Sequence, residues 1–169
     1  MNTKHICFLS VCIIAIAVFI NSCKKEDKSN IPNLLTTGTW QLASLQVDHY
    51  IGDSKIKTDT LNADCDTTQL LTFFKDNTCT YTNFDCKVQP TAKGKWTLAD
   101  NRLYLTSDIT VLDATKAGKS QPFTQVQIAN LGQFSLVFNT GDIGAYYTTT
   151  QPRTITRYGF IRQKATSAK

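Results

Sequence analysis

Apolar and polar side chains alternate along most of the chain after residue 38. In the segment NRLYLTSDITVLD the apolar residues on one side are Leu103, Leu105, Ile109 and Val111. In the segment QFSLVFN, Phe134, Leu136 and Phe138 point together. Because successive side chains of a strand point to opposite faces, each segment predicts one buried face and one solvated face, as in an antiparallel meander.

The same alternation predicts eight short strands separated by turns, and no long segment has the helical period of 3.6 residues. The predicted strands cover residues 39–50, 67–74, 78–86, 93–98, 102–112, 123–130, 133–139 and 154–162. Residues 31–38 predict one helical turn before the first strand, and the long connection over residues 51–65 has room for a further short strand.

Two features indicate how these strands are joined. The apolar phase of the first strand slips between Leu42 and Leu45, which predicts a bulge that bends the strand. Asp76 and Asn77 predict a tight turn with Phe74 opposite Cys79, so neighbours in sequence are neighbours in the sheet. An eight-stranded antiparallel up-and-down barrel leaves no exposed edge, and this all-β fold is our prediction.

The N-terminal segment has the layout of a secretory signal. Lys4 and His5 form a basic head, and residues 6–20 are apolar except for Ser10. This run is shorter than the roughly 20 apolar residues that cross a bilayer, and it fits the regions of a signal peptide. An uncleaved anchor helix is the alternative interpretation.

Residues 20–23, with the sequence INSC, resemble a bacterial lipobox. The resemblance implies cleavage before Cys23 and membrane anchoring through acyl chains on Cys23, for which two or more chains are needed. The polar residues that follow predict a tether. The sequence CKKED also resembles the export signals of Bacteroidetes surface lipoproteins, although a solvated spacer is equally compatible. We expect an outer-membrane lipoprotein that faces the periplasm or the cell surface.

These segments predict a simple organisation. Residues 1–22 are the signal peptide, residues 23–33 the lipidated cysteine and tether, residues 34–164 one barrel domain, and residues 165–169 a disordered tail. The net charge of +5 is small and the basic residues are scattered, so the composition predicts no nucleic-acid surface. We expect a monomer.

Cysteine usage predicts one disulfide. Of the six cysteines, two leave with the signal peptide and Cys23 carries lipid, so Cys65, Cys79 and Cys86 remain to pair in an oxidising compartment. The predicted hairpin makes Cys65 and Cys86 diagonal neighbours on one face, and places Cys79 on the other. We therefore predict a Cys65–Cys86 disulfide and a free, packed Cys79. Zinc binding is the rival interpretation, which the lack of a CxxC motif disfavours.

Five segments resemble the lipocalin-like domains of Bacteroidetes lipoproteins, namely LLTTGTWQLASL, LTFFKDNTCTYT, GKWTLADNRLYLTSD, FSLVF and YGFIRQ. The resemblance covers residues 34–163 and implies a lipocalin-like barrel in which Trp40 and Trp96 fill the floor or the wall. The segment KDNT departs from the Asp-Gly turn of the family, although Asn77 tolerates the same backbone conformation at some strain. The shared motifs are structural, so the resemblance implies a fold and not an activity.

No catalytic pattern is recognisable in the sequence. The GxSxG, HExxH and EF-hand motifs are missing, and the segment DATKAGKS lacks the first glycine of a phosphate loop. Asp64 and Asp66 flank Cys65, where solvated turn residues are the simpler interpretation. We expect neither an enzyme, nor a cofactor, nor a metal site.

Two functions remain. In the first, the barrel binds one small apolar or amphipathic ligand, and the candidate contacts are Tyr146, Tyr147, Trp40 and Trp96. In the second, large inward residues fill the barrel, and the loops bind an envelope protein or a glycan; these residues are Trp40, Trp96, Phe134, Phe138 and Phe160. The size of the interior void distinguishes the two functions.

Overall fold

A computed structural model describes residues 30–61, 65–113, 118–144 and 146–163. The predicted signal peptide, Cys23, the tether up to residue 29 and the predicted tail lie outside these ranges. Within them, no helix is long and apolar enough to cross a membrane.

The chain begins with a short helix and continues as strands. Helix α1 (Ile31–Thr36) is followed by β1 (Thr39–Ile51), β2 (Ser54–Leu61), β3 (Leu70–Phe73), β4 (Thr78–Thr82), a 3-10 turn (Phe84–Cys86), β5 (Ala92–Leu98), β6 (Tyr104–Ser107), β7 (Val111–Asp113), β8 (Gly118–Ser120), β9 (Val126–Leu131), β10 (Ser135–Gly141) and β11 (Pro152–Arg162).

Eight of these strands close into an antiparallel barrel, which confirms the predicted fold. The strand order is β1, β3, β4, β5, β6, β9, β10 and β11, and β11 pairs again with β1. Trp40 of the first strand lies opposite Arg162 of the last. The predicted bulge is confirmed, because the register between these two strands shifts between Leu42 and Ser44.

Strand β1 has two different neighbours on the side away from β11. Its first residues pair with β3, whereas residues 45–51 pair with β2, which is the further strand for which the long connection has room. Strands β2, β1 and β11 therefore form a three-stranded arm that continues past the end of β3. Strands β7 and β8 form a separate hairpin.

Two predicted strands are shorter than the alternation suggests. The strand predicted at 102–112 is two strands, β6 and β7, because the Ile109 N–H donates to Oγ of Ser107 at 3.2 Å instead of continuing a ladder. The strand predicted at 78–86 ends at Thr82, because Asn83 adopts a left-handed φ of 56° and leads into the 3-10 turn.

The register of the first barrel hairpin was predicted wrongly by one residue. Phe73 lies opposite Cys79, where the sequence predicted Phe74. Asn77 adopts a φ of 64°, and the Phe74 N–H donates to the Thr78 carbonyl at 2.9 Å, so the turn has three residues instead of two. Cys79 consequently shares the core with Phe73.

The cysteines pair as predicted. Cys65 and Cys86 form a disulfide with their Cα atoms 5.3 Å apart, and Cys79 is free and buried. The Cys79 sulfur lies 3.2 Å from Oγ of Ser107. Burial raises the pKa of this thiol, so Cys79 stays protonated in the folded protein.

Aromatic side chains fill the centre of the barrel. The Phe73 ring lies edge-on to Trp96 at 5.4 Å and to Phe138 at 6.1 Å between centroids. The Phe123 ring lies 6.0 Å from Phe138 and 5.8 Å from Tyr81. The edge-on contacts of Phe73 and of Phe123 with Phe138 are favourable beyond the area that they bury, and these five rings pack together in the barrel centre.

Two residues predicted to point inward are exposed. Phe134 has 68% of its surface exposed and Leu103 has 44%. Leu103 follows Arg102, whose left-handed φ of 57° interrupts the alternation before β6 starts. Phe134 lies in the turn closed by the Gly132 N–H and the Ser135 carbonyl at 2.8 Å, before β10 begins. Alternation predicts which side of the sheet a side chain faces only within a strand. Leu103 and Phe134 both lie outside a strand.

Candidate functional site: the mouth cavity

One end of the barrel holds a cavity of about 610 Å³ that opens to solvent, here named the mouth cavity. Its strand wall comes from Leu45 and Val47 of β1, Thr140 of β10, and Thr156 and Tyr158 of β11. These residues are neighbours because Leu45 pairs with Tyr158, while Thr156 pairs with both Val47 and Thr140. The bulge after Leu42 sets the phase in which Leu45 and Val47 face the cavity.

The opposite wall comes from the loops. Phe84 and Asp85 of the 3-10 turn, Asp113 of β7 and Ser120 of β8 face the cavity, together with Leu61 at the end of β2. The 3-10 turn has unusual backbone geometry, because Asp85 adopts a left-handed φ of 56°. Such a conformation persists only where neighbouring contacts enforce it.

Gln69 is the residue that enforces this conformation. Its side chain is 6% exposed. Its Oε1 atom accepts hydrogen bonds from the Tyr81 hydroxyl at 3.1 Å and from the Asp85 N–H at 3.2 Å. Its amide nitrogen lies 3.5 Å from the Cys65 sulfur and 3.6 Å from the Cys86 sulfur. Gln69 therefore joins the core, the 3-10 turn and the disulfide at the edge of the cavity.

Tyr158 brings a hydroxyl group to the base of the mouth cavity. Burial, and after it the negative charges of Asp113 and Asp85, raise the pKa of Tyr158 to about 12. The hydroxyl therefore remains protonated at physiological pH and is able both to donate and to accept a hydrogen bond. The two carboxylates also make the potential in the cavity unfavourable for an anion.

Ser120 offers a second polar group. Its Oγ atom is buried, and within the described ranges it has no hydrogen-bond partner. Because the atom is buried, a ligand in the cavity reaches it only if the Ser120 side chain rotates. The cavity wall thus combines apolar side chains with a few polar groups, as small-molecule sites do.

The two tryptophans predicted as ligand contacts belong to the packed interior. Trp40 is fully buried, and its indole N–H donates to the Leu35 carbonyl at 2.9 Å. Trp96 is 4% exposed, and its indole N–H donates to the Phe74 carbonyl at 3.2 Å. Neither ring lines the mouth cavity, so they support the barrel without facing a ligand there.

The two predicted tyrosines have different environments. Tyr146 is 98% exposed. Tyr147 is half-buried, its hydroxyl donates to Oδ1 of Asp53, and its ring stacks on the guanidinium of Arg153. Neither tyrosine lines the mouth cavity.

The sequence analysis missed the residues that shape the cavity. Tyr158 and Thr156 share the inward phase of Phe160, and that alternation could have indicated them. No local signal indicates Gln69 or Asp113, because their neighbours in space are distant in sequence. Among the described residues, no three His, Cys, Asp or Glu side chains lie close enough together to hold a metal ion.

Comparison with protein families gives an independent assignment. The profile of the lipocalin-like domain matches residues 36–138, more than half of the chain. The chain belongs to the lipocalin-like domain family. No curated protein sequence matches it significantly.

The family match ends inside β10 of this lipocalin-like barrel. Strand β11, which closes the barrel against β1 and carries Thr156 and Tyr158, lies beyond it. The wall of the mouth cavity is therefore built partly by residues that the family match does not cover.

Proposed function

We propose that this protein is a membrane-anchored envelope lipoprotein whose lipocalin-like barrel binds a small ligand in the mouth cavity without catalysing a reaction. The ligand has an apolar body and one neutral or cationic polar group. The observation that carries the proposal is the mouth cavity itself, whose volume of about 610 Å³ falls within the roughly 300–1,000 Å³ of small-molecule sites.

The chemistry of the cavity wall supports an amphipathic ligand. Leu45, Leu61 and Phe84 offer apolar surface to the ligand body. Tyr158 offers a hydroxyl group to a polar end. Asp85, which pairs with Lys87 at 3.6 Å, and Asp113 add negative charge that raises the pKa of Tyr158, and this charge disfavours an anionic ligand.

The filled centre of the barrel limits how deep the ligand enters. Phe73, Phe123 and Phe138 are at most 2% exposed. Close-packed interiors do not open without a large cost in free energy, so the ligand stays at the mouth, above these rings.

A fluorescence titration with N-phenyl-1-naphthylamine, an uncharged apolar probe, tests ligand binding. Thr156→Trp would fill the cavity, so we expect wild-type protein to enhance the fluorescence saturably and the variant to bind at least about tenfold more weakly. Thr60→Trp introduces the same side chain on the exposed part of β2 and should bind like wild type. Far-UV circular dichroism checks that both variants fold. Equal binding by both variants would show that the probe binds elsewhere, and it would reject the mouth cavity as the binding site.

Membrane anchoring rests on the lipobox resemblance at Cys23. We expect the mature chain to begin at Cys23 with a mass that includes acyl chains, and we expect Cys23→Ser to release the protein from the membrane fraction. A mature chain that still begins at Met1 and carries no acyl chain would reject the lipoprotein proposal.

A second candidate function is binding of an envelope protein or a glycan at the outer surface. Phe134 is 68% exposed and Ile161 is 49% exposed. Phe134 directly precedes Ser135, which pairs with Ile161. If wild-type protein does not bind the naphthylamine probe, and Phe134→Ser abolishes binding to envelope fractions, the surface function replaces the cavity function.

A further inference from the structure

Arg153 carries a buried positive charge that the described part of the chain does not neutralise. The residue is 9% exposed. Among the described residues, no carboxylate lies within ion-pair distance of its guanidinium. Its Nε atom is buried and has no hydrogen-bond partner there. Arginine is almost never buried without a partner, so this side chain requires an explanation.

Two tyrosine rings hold the guanidinium. The Cζ atom lies 3.5 Å from the centroid of the Tyr147 ring and 5.5 Å from that of the Tyr50 ring. Tyr50 is the cross-strand partner of Arg153 in the ladder between β1 and β11. The rings stabilise the cation through its faces, whereas the N–H donors point outward in its plane. The Nη1 and Nη2 donors therefore remain available to an acceptor that approaches edge-on, whereas Nε is buried.

Residues 147–151, which include Tyr147, are held by contacts with the turn between β1 and β2. The Gly52 N–H donates to the Gln151 carbonyl at 2.9 Å, and the Gln151 N–H donates to the Thr148 carbonyl at 3.2 Å. A Cβ atom at Gly52 would collide with the carbonyl of Thr149. Close packing and hydrogen bonds thus hold the loop against the turn between β1 and β2, and a preorganised site loses less entropy on binding.

Three acidic side chains on the segments around Arg153 are engaged elsewhere, the first being Asp142, which accepts from the Thr154 N–H at 2.7 Å. Asp53 accepts the hydrogen bond of the Tyr147 hydroxyl. Asp48 accepts from Thr58 at 2.5 Å and pairs with Lys55 at 3.3 Å. Because these contacts occupy both carboxylates, neither Asp53 nor Asp48 pairs with the edge of the Arg153 guanidinium.

We propose that Arg153, framed by Tyr50 and Tyr147, binds the carboxylate of a small organic acid supplied from outside the chain. A carboxylate is planar and accepts two parallel hydrogen bonds from a guanidinium edge. Its two oxygens would accept from the Nη1 and Nη2 groups, because Nε is buried, and its negative charge would neutralise the guanidinium. Tyr146 adjoins Tyr147 and is 98% exposed, so it offers an aromatic face to the body of the acid, for example a sugar ring.

This site is separate from the mouth cavity, which Arg153 does not line, and it attracts the opposite charge. The test is a ¹⁵N–¹H NMR titration of the protein as the cell processes it, following the Nε–Hε signals of its four arginines. The probes are sodium acetate and sodium glucuronate, with sodium chloride as the control for ionic strength. We expect one signal to shift saturably with both carboxylates, and to be missing from the spectrum of Arg153→Lys.

Matched variants identify the binding residue. Arg153→Lys keeps the charge but loses the planar fork, so glucuronate should bind at least about tenfold more weakly. Arg157→Lys makes the same change at an exposed position of β11 and should leave the affinity unchanged.

Tighter binding of glucuronate than of acetate, reduced by Tyr146→Ala, would indicate that the ligand is an acidic sugar. An Arg153 signal that does not move, or that moves equally with chloride, overturns the proposal whether or not the mouth cavity binds its probe.

Discussion

The guanidinium of Arg162 lies over the ring of Trp40, with Cζ 4.5 Å from the ring centroid. The same side chain donates a hydrogen bond from Nη2 to the Leu34 carbonyl at 2.7 Å. Trp40 in turn donates to the Leu35 carbonyl. The end of β11 and the start of β1 thus hold helix α1 against the floor of the barrel.

Loss of the Arg162 side chain should destabilise the barrel. Arg162→Gln removes the cation above Trp40 and the hydrogen bond to Leu34, so we expect the free energy of unfolding to fall by about 2 kcal/mol. Urea denaturation followed by tryptophan fluorescence measures this change. Arg157→Gln removes the same charge from an exposed position of β11 and should change the free energy by no more than about 0.5 kcal/mol. Similar losses in the two variants would show that net charge, not the contact with Trp40, is responsible.

Gln69 should matter more to stability than a polar residue usually does. Gln69→Leu leaves the Tyr81 hydroxyl and the Asp85 N–H without their acceptor, so we expect a loss of about 2–3 kcal/mol. Gln133→Leu, an exposed position before β10, is the matched control. Because Gln69 also positions the 3-10 turn, the Gln69 variant should bind the naphthylamine probe more weakly. Unchanged stability would mean that the hydrogen bonds of Gln69 are replaced by water.

The disulfide should contribute stability by restricting the unfolded chain. Cys65 and Cys86 are 21 residues apart, so the double replacement Cys65→Ser with Cys86→Ser should cost about 3 kcal/mol. Thermal unfolding of the wild-type protein with and without a reducing agent measures the same loss of stability on removal of the disulfide. Apart from Cys23, alkylation of the unreduced, denatured protein should modify one cysteine, Cys79. Modification of all three would contradict the disulfide.

The raised pKa of Tyr158 predicts that the free energy of unfolding falls at alkaline pH. Its pKa rises from 10.0 in the unfolded chain to about 12 in the folded protein, so between these pH values the unfolded state loses a proton that the folded state keeps. Stability therefore falls as the pH rises from about 10 to about 12, by roughly 1.4 kcal/mol per pH unit at most. Urea denaturation of wild type and Tyr158→Phe across this range measures the difference. Parallel curves for the two proteins would show that Tyr158 ionises alike in both states.

The barrel was predictable because its signal is local and repeated. Alternation at Leu105, Ile109 and Val111 correctly indicated one buried face, and the phase slip after Leu42 correctly indicated the bulge. The errors arose where a single residue leaves the extended conformation. Asn77 adds one residue to its turn, and Phe134 precedes its strand by one position. Propensity does not resolve a shift of one residue, although such a shift reverses the face of every side chain.

The candidate sites were less predictable because they are assembled from distant segments. Gln69 meets Tyr81 and Asp85 through the fold, and Arg153 meets Tyr147 through a loop that doubles back on the arm. The sequence indicated Tyr147 as a candidate ligand contact, but it did not indicate the Arg153 cation against its ring. Such pairs depend on strand order, which short-range patterns do not encode.

The pairing of β1 with β11 also constrains the timing of folding. These two strands make the most extensive ladder of the sheet, yet they stand at opposite ends of the domain. Until β11 pairs with β1, one side of β1 has no partner strand, and long-range pairings of this kind are slow to form. The unfolded chain therefore exposes a sheet edge that favours aggregation until its last segment pairs, and a truncation that removes β11 would leave that edge open permanently.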